Sequence, residues 1–373
     1  MLLDSLSITN FKNIADARLD FSPKINCFLG NNGMGKSNLL DAIYYLSFCK
    51  SFSGMADSAL VRRGEDFMTL RGLYTRKSIA EELSMGLMPG KRKSFKRKGK
   101  EYDRLSSHIG AFPLVMAAPA DQELINGTGE ERRRFMDQVI SQTDPVYLDH
   151  LIRYGRSLQQ RNKLLRDHVA DQALYMALEL AMARSASYIT RARLKWTERL
   201  TEIFIPFYSR IAADGETPSL ALKSHLAADP ESLPRLLDET RRRDEIVGHT
   251  SVGPHRDDID LQINGMPVRR TASQGQCKTY TIALRLAQYE FLRIAVGMRP
   301  LLLLDDIFDK LDASRVERLV EMVSEEIFGQ IFITDTNRAH LDHIMSRSAN
   351  CHCSWNVENG NFTLISISSD ETH

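Results

Sequence analysis

The chain has 373 residues, of which 43% are hydrophobic and 26% are charged, and this composition predicts a globular protein with a large core. The formal net charge is only +1, so a nucleic-acid site would have to be a local basic patch. Five scattered cysteines argue against a disulfide framework, and the absence of a signal sequence or of about 18 consecutive apolar residues predicts a cytoplasmic protein without a membrane span.

The N-terminal third is predicted to contain strands and one strong helix. Alternating and apolar segments predict strands at Leu2–Thr9 and Ile25–Leu29, and a helix is predicted from Lys36. Further strands are predicted at Thr69–Thr75, Glu82–Met88, Lys93–Arg97 and Pro113–Ala117, with a turn at Lys98–Lys100.

The middle of the chain has a different pattern. From Glu130 to Arg243 apolar residues recur at helical spacing and glycine is nearly absent, which predicts a helical insertion. Pro206 is expected to end or kink one helix, and Asp214-Gly215 is expected to form a turn.

Strands return after His249. The predicted elements are a strand at Asp258–Asn264 with a hairpin turn at Asn264-Gly265, a helix after Ser273, strands at Pro300–Leu304, Gln330–Thr334 and Phe362–Ile367, and a helix at Arg315–Phe328. The whole pattern predicts an α/β core interrupted by a mostly helical insertion, divided into residues 1–128, 129–245 and 246–373.

A phosphate-binding loop is predicted between the second strand and the first helix, where the sequence fits G-x-x-x-x-G-K-S. Glycines allow backbone N–H groups to surround phosphates, and the helix N-terminus adds positive potential. Lys36 is expected to reach the β and γ phosphates of ATP, and Ser37 to hold Mg²⁺. The predicted nucleotide contacts are Gly30, Asn31, Asn32, Gly33, Met34, Gly35, Lys36, Ser37 and Asn38.

Two acids follow the apolar strand that ends at Leu304. Adjacent carboxylates at the end of a buried strand are costly unless a cation neutralises them. Asp305 is therefore predicted to hold Mg²⁺, and Asp306 to polarise the attacking water, with Lys36 as the second catalytic residue.

A third element, Ser273-Gln274-Gly275-Gln276, lies before a helix and shortly before the acidic strand. In this order the three elements resemble an ABC-type ATPase head, a mixed sheet around a phosphate loop, and Leu311-Asp312 resembles its D-loop. The resemblance implies that Ser273, Gly275, Gln276 and Asp312 contact the ATP of a second subunit, in a head-to-tail homodimer.

Longer segments narrow the resemblance to the RecF family of SMC-like ATPases. They are Leu6–Asn13, Gly30–Asp41, Gly127–Asp137, Gly253–Asp258 and Leu301–Asp312. The resemblance implies slow ATP hydrolysis linked to dimer dissociation and binding to duplex DNA at single-strand gaps. It also implies cooperation with RecR, alongside RecO, in loading RecA during recombinational repair, replication restart and the SOS response to DNA damage.

Three positions depart from the ABC pattern. Asp306 stands where ABC transporters usually have glutamate. The switch histidine is missing from Thr334-Asp335-Thr336, and His340 follows too late in the sequence to be assumed equivalent. Gln122 is a tentative Q-loop residue and Mg²⁺ ligand.

A basic segment on a predicted hairpin is the first candidate for DNA contact. Its members are Lys91, Arg92, Lys93, Lys96, Arg97, Lys98 and Lys100. Such a segment either follows a phosphate backbone or protects a sheet edge from aggregation, and the family resemblance favours DNA slightly. Arg132–Arg134 and Arg241–Arg243 are alternatives, although pairing with acids or a solvated helix face explains both.

Two further groups are weighed against a functional role. Cys351-His352-Cys353 is explained better by packing than by a metal site, because no second Cys/His pair lies at the required spacing. His255 is expected in a polar network that supports the ATP site or an interdomain contact. Among other function classes, a transporter subunit requires a switch histidine and an SMC-like nuclease requires an extra metal domain, whereas an ATP-gated SMC-like clamp stays open as an alternative.

Overall fold

The computed structural model describes residues 1–212, 215–347 and 352–368. The strands are β1 (Leu2–Phe11), β2 (Ile14–Asp20), β3 (Ile25–Leu29), β4 (Met68–Arg76), β5 (Ile79–Leu87), β6 (Ser94–Arg97), β7 (Lys100–Glu101), β8 (Leu114–Ala117), β9 (Pro218–Lys223), β10 (Asp258–Ile263), β11 (Met266–Pro267), β12 (Leu301–Asp305), β13 (Ile331–Asp335), β14 (His352–Glu358) and β15 (Asn361–Ser368). The helices are α1 (Lys36–Phe48), α2 (Glu123–Asn126), α3 (Gly129–Thr143), α4 (Pro145–Arg166), α5 (Gln172–Ile211), α6 (Leu233–Val247), α7 (Val268–Thr271), α8 (Gln274–Val296), α9 (Ala313–Val323) and α10 (Arg338–Arg347).

The chain forms two compact units. The first contains Met1–Asp121, Arg210–Ala212 and Gln274–His373, and the second contains Gln122–Ser209 and Ala213–Ser273. These boundaries differ from the predicted breaks after residues 128 and 245. The difference arises because α2 and the β10–β11 hairpin with α7 pack within the second unit.

The first unit is built on two six-stranded sheets. One is antiparallel, in the order β2-β1-β4-β5-β6-β7. The other has the order β15-β14-β3-β13-β12-β8, in which β15 is antiparallel to β14 and the remaining neighbours are parallel. The predicted α/β class is therefore confirmed.

Helix α1 lies in the core of this unit and contacts strands of both sheets. Eleven of its thirteen residues are buried, which explains why the segment is apolar on nearly every side. The carboxyl ends of β3, β13 and β12 lie side by side, so residues that follow these strands meet at one sheet edge.

The second unit is mostly helical, as predicted, but it also contains the three-stranded sheet β11-β10-β9. Strand β9 lies within the segment that was predicted to be helical. Helix α5 continues through Pro206 to Ile211, so the proline does not end the helix. Of the predicted turn at Asp214-Gly215, Asp214 lies outside the described residues.

The predicted hairpin turn at Asn264-Gly265 is confirmed, with positive φ at both residues. Strands β2 and β14 and helix α10 are not predicted from the sequence. No described helix is long and apolar enough to cross a membrane.

A buried arginine network stabilises the second unit. Arg193 is 1% exposed, and its guanidinium donates to Asp257 at 2.7 Å, Asp137 at 2.9 Å and the Tyr147 hydroxyl at 3.0 Å. A buried charge is tolerated only when its partners are present, so removing the cation leaves two acids uncompensated.

We expect Arg193→Met to lower the free energy of unfolding by about 3–5 kcal/mol, because Asp257 would be buried without a counter-charge. Urea unfolding followed by circular dichroism measures this loss. Arg191→Met, on the same helix, removes an exposed pair with Glu231 and is expected to cost less than about 1 kcal/mol. Equal losses of unfolding free energy in the two variants would contradict the conclusion that Arg193 is the buried counter-charge of Asp257.

Candidate functional site

The predicted phosphate loop connects β3 to α1 with the backbone that the motif requires. Gly33 has a φ of 81° and Gly35, the N-cap of α1, has a φ of 114°, both in the left-handed region that favours glycine. A side chain at Gly30 would place its Cβ 2.4 Å from the carbonyl oxygen of Val357. The loop can therefore present backbone N–H groups at a helix N-terminus.

Lys36 lies inside this loop. Its side chain is buried, and its ammonium group donates to the carbonyls of Gly30 at 2.7 Å and Asn31 at 3.1 Å. A cation held by loop carbonyls can exchange them for anionic oxygens with little movement.

Asp305 is the centre of the site. Its Oδ1 accepts hydrogen bonds from the Ser37 hydroxyl at 2.9 Å and from the Thr334 hydroxyl at 2.6 Å. Burial raises the pKa of the Asp305 carboxyl. The hydroxyl and carboxylate oxygens are ligands that Mg²⁺ prefers, and a cation would relieve the buried charge. The sequence did not identify Thr334; its position at the end of the strand beside β12 was the available signal.

Asp306 has a φ of 45°, which turns the chain sharply after β12. Its N–H donates to Thr334 Oγ1 at 3.1 Å, and its carbonyl accepts from Lys278 Nζ at 3.2 Å. Burial raises the pKa of Asp306, and the neighbouring Asp305 charge raises it further. Burial also lowers the pKa of Lys278.

A polar cavity of about 510 Å³ opens beside Asp306. Its lining residues are Asn32, Pro119, Asp306, Asp309, Asp335, Thr336, Asn337 and His340. His340 Nδ1 lies 2.8 Å from Asp335 Oδ2. The sequence spacing gave no reason to place His340 at the site. In the structure, His340 lies on α10 and its ring lines the cavity.

The signature residues lie at the start of α8. Ser273 immediately precedes the helix, and Gly275 and Gln276 are in its first turn. None of them lines the cavity of about 510 Å³. Asp312 caps α9 by accepting from the Arg315 N–H at 3.0 Å, and its side chain is more than half exposed.

Gln122 begins the second unit, whereas its neighbour Asp121 belongs to the first. Asp121 is buried and forms an ion pair with Arg285 of α8 at 2.5 Å. This pair connects the helix that carries the signature to the segment predicted to be the Q-loop. The sequence missed it, because the partners are 164 residues apart.

The β14–β15 turn packs behind the phosphate loop. Gly360 N–H donates to the Met34 carbonyl at 2.7 Å, and its φ is 80°. A Cβ at Gly360 would lie 2.5 Å from the Asn13 carbonyl oxygen. The Asn13 side chain also accepts from Asn38 at 2.7 Å. This turn therefore fixes the backbone of the loop.

The basic segment divides into two groups of side chains. Lys93 forms an ion pair with Asp57 at 2.8 Å, and Arg97 pairs with Glu81 at 2.6 Å; both cations are partly buried. Lys98 lies 3.5 Å from Glu81, and Arg92 donates to the carbonyl of Asp103 at 3.4 Å. The members that are exposed and form no ion pair in the described part of the chain are Lys91, Arg92, Lys96 and Lys100.

The alternative arginine clusters have structural contacts in the second unit. Arg132 pairs with Asp258 at 2.6 Å, and Arg133 donates to the Asp257 carbonyl at 2.8 Å. Arg241 pairs with Glu179 at 2.8 Å. These contacts account for the conformations of the three side chains without a ligand.

His255 contacts the Tyr154 hydroxyl at 2.7 Å and the Thr250 carbonyl at 3.0 Å, all within the second unit. Burial lowers the pKa of His255 to about 4. Cys353 is buried on β14, as packing predicts, whereas Cys351 lies outside the described residues. No cluster of three metal-ligating His, Cys, Asp or Glu side chains occurs in the described ranges.

Comparison with known proteins agrees with this geometry. The family model for an AAA ATPase domain matches residues 1–104. The DNA replication and repair protein RecF of Phocaeicola vulgatus is 49% identical over 366 residues, which cover 97% of this chain and 98% of the relative.

Among solved structures, that of the recombination mediator protein RecF with ATP has a TM-score of 0.87 and 28% identity, and the match covers 98% of each chain. The Smc head domain of Pyrococcus furiosus has a TM-score of 0.60 at 16% identity, covering 98% of this chain and 96% of that one, and shares the fold. The predicted ATPase-head fold is confirmed.

We expect Gly360→Ala to weaken the binding of a fluorescent ATP analogue by roughly tenfold, equivalent to about 1.4 kcal/mol, because the new methyl group displaces the turn from Met34. Gly64→Ala is the matched control, since Gly64 also has a positive φ, of 90°, but open space around it. A similar loss of affinity in both variants would show that backbone strain alone was responsible.

Proposed function

The chain belongs to the RecF family of DNA replication and repair proteins, and on that premise we propose that it dimerises with ATP on duplex DNA beside single-strand gaps and, with RecR, promotes RecA loading. It is an ATPase that acts in DNA replication, repair and recombination. The observation that carries the proposal is the 2.9 Å hydrogen bond between Ser37 and Asp305, which joins the phosphate loop to the acidic strand across 268 residues. RecO is the further member of the proposed pathway.

The phosphate loop binds the triphosphate of ATP through backbone N–H groups and the N-terminus of α1. Lys36 exchanges the carbonyls of Gly30 and Asn31 for β- and γ-phosphate oxygens. Because the lysine is already inside the loop, little conformational entropy is lost when the phosphates bind.

Ser37 and Asp305 are the residues that would hold Mg²⁺. When bound, the ion neutralises charge on the phosphate oxygens. Both oxygens are of the hard type that this ion prefers, and the carboxylate is buried in a site where a cation is favourable.

Asp306 orients and deprotonates the attacking water. Its raised pKa makes it a stronger base than an ordinary aspartate, and Thr334 and Lys278 hold its backbone. Asn32 and Asp306 line the same cavity, so the phosphate loop and the base face one space.

The second half of each ATP site comes from another copy of the chain. Ser273, Gly275, Gln276 and Asp312 are proposed to contact the γ-phosphate held by the partner, and the helix N-terminus of α8 adds favourable potential. Asp306 lies in the cavity, whereas the signature is at the start of α8, which supports a site divided between two subunits. Hydrolysis then weakens the dimer.

Lys36→Met is expected to abolish ATP-dependent dimerisation, because the variant lacks the cation that neutralises the phosphates. Sedimentation with a non-hydrolysable ATP analogue, with and without gapped duplex DNA, measures the dimer. Lys195→Met, an exposed lysine of α5, is the control and should dimerise normally. A Lys36→Met dimer at saturating nucleotide would refute the assignment of the site.

DNA contact is proposed for the basic segment, in particular for its three exposed, unpaired lysines, Lys91, Lys96 and Lys100. Lysines that are free of ion pairs can release counterions from a phosphate backbone, whereas Lys93 and Arg97 would first have to break internal pairs. The contact is expected to be independent of base sequence.

Replacing Lys91, Lys96 and Lys100 together with alanine is expected to weaken duplex binding and to flatten its salt dependence. The slope of log affinity against log salt should become shallower by about 0.9 for every phosphate that the protein no longer neutralises. Fluorescence anisotropy at several salt concentrations gives the slope. Lys77→Asn, at the opposite end of the sheet, is the control, and an unchanged slope in the triple variant would move the DNA contact elsewhere.

A functional assay distinguishes a mediator from an ATP-gated clamp that has no mediator activity. If ATP drives dimerisation on gapped DNA but RecR and this protein together fail to accelerate RecA loading, the clamp alternative replaces the mediator.

A further inference from the structure

A second cavity, of about 320 Å³, opens on the outer face of the antiparallel sheet in the first unit. Its floor contains Thr69, Gly86 and Ser94, which are paired neighbours on β4, β5 and β6. Their chain neighbours Leu70, Met85 and Phe95 are buried and point to the other face, so the floor residues lie on the solvent side of the sheet.

Gly86 makes this floor open. A Cβ placed on it would have no heavy atom within 4 Å. Glycine inside a strand weakens the strand and commonly marks a place where another group approaches closely. Here the missing side chain leaves room for a flat group above the sheet.

The walls are apolar, and two of the three wall side chains are exposed while Leu87 is buried. Phe67 and Met88 are each 42% exposed, although large hydrophobic side chains are usually buried. They line the cavity together with Leu87. An aromatic ring and a flexible thioether beside an open floor suit a planar ring of a ligand.

The rim is positive. Lys91 and Arg92 line the cavity and are exposed, and Arg92 donates to the Asp103 carbonyl without an ion pair among the described residues. Lys96 lies on the same strand face as Ser94, two residues along β6, and extends the positive charge beyond the cavity. A series of cations along one path matches the repeated phosphates of a nucleic-acid strand.

We propose that this cavity accepts one unpaired nucleobase of a DNA strand whose phosphates contact Lys91 and Arg92. The inference rests on the proposed binding of DNA by the basic segment and adds a feature that distinguishes gapped from continuous duplex. In continuous duplex every base is stacked and paired, so none can enter the cavity. Stacking of a base on an aromatic side chain combined with phosphate contact is a general mode of single-strand recognition.

The first test is Gly86→Val. Valine occupies the floor, its Cβ has no heavy atom within 4 Å, and the residue favours the strand conformation, so the variant should fold. We expect it to bind a gapped duplex roughly tenfold more weakly than wild type, whereas affinity for the same duplex without a gap is unchanged. Ala80→Val, exposed on the same face of β5 but outside the cavity, is the matched control.

The second test places 2-aminopurine at the first unpaired position of the gap. Binding by the wild-type protein and by Ala80→Val should change the fluorescence of that base, whereas Gly86→Val and Phe67→Ala should abolish the change. Equal loss of affinity for gapped and continuous duplex in Gly86→Val, or no loss for either, would overturn the proposal.

The outcomes also separate this proposal from the one on which it rests. If the triple lysine variant loses duplex binding but Gly86→Val keeps full preference for gaps, only the cavity is wrong. If the triple variant binds duplex normally, the proposed DNA surface itself is wrong. Displacement of the labelled DNA by an acidic, Phe-containing peptide more readily than by an unlabelled single-stranded oligonucleotide would assign the cavity to a protein partner and overturn the proposal.

Discussion

Asp305 Oδ1, at the end of β12, accepts hydrogen bonds from the hydroxyl of Ser37 on α1 and from that of Thr334 on the neighbouring strand β13. The carboxylate is buried, so its charge is costly until a cation is near. Because β3, β13 and β12 are parallel neighbours, their carboxyl ends lie together although long segments of chain separate them in sequence. The phosphate loop and the residues proposed as metal ligands and as base therefore lie at one sheet edge.

Residues of β14 and of the β14–β15 turn contact the phosphate loop at this edge. In the turn, the Gly360 N–H donates a hydrogen bond to the Met34 carbonyl of the loop. Gly30 lies so close to Val357 that position 30 has no space for a side chain. Residues from both ends of the chain are thus needed to shape eight residues of loop. The second unit has its own buried ion pairs, those of Arg193 and the pair of Arg161 with Asp244 at 2.9 Å, and its three-stranded sheet is formed from its own strands.

The basic segment illustrates how the pleat of a strand divides similar residues. Phe95 is buried while Lys96 is exposed, and Lys93 and Arg97 reach inward-lying acids. Of the seven basic residues, Lys93, Arg97 and Lys98 therefore lie near internal acids, and the other four are exposed without an ion pair in the described part of the chain. The partners Asp57 and Glu81 are remote or on another strand, so the sequence pattern alone could not show which cations are available.

Local chemistry determined the phosphate loop, the acidic strand and the α/β class, because Gly35, Lys36 and Asp305 act through backbone geometry and charge that short segments encode. Tertiary structure alone decided that Thr334 and Lys278 fix the two acids, that His340 returns to the cavity, and that Arg285 pairs with Asp121. It also placed β9 inside a segment with helical spacing and carried α5 through Pro206. These features depend on contacts between distant segments, which are favourable only after the sheets have formed and which leave no periodic signal along the chain.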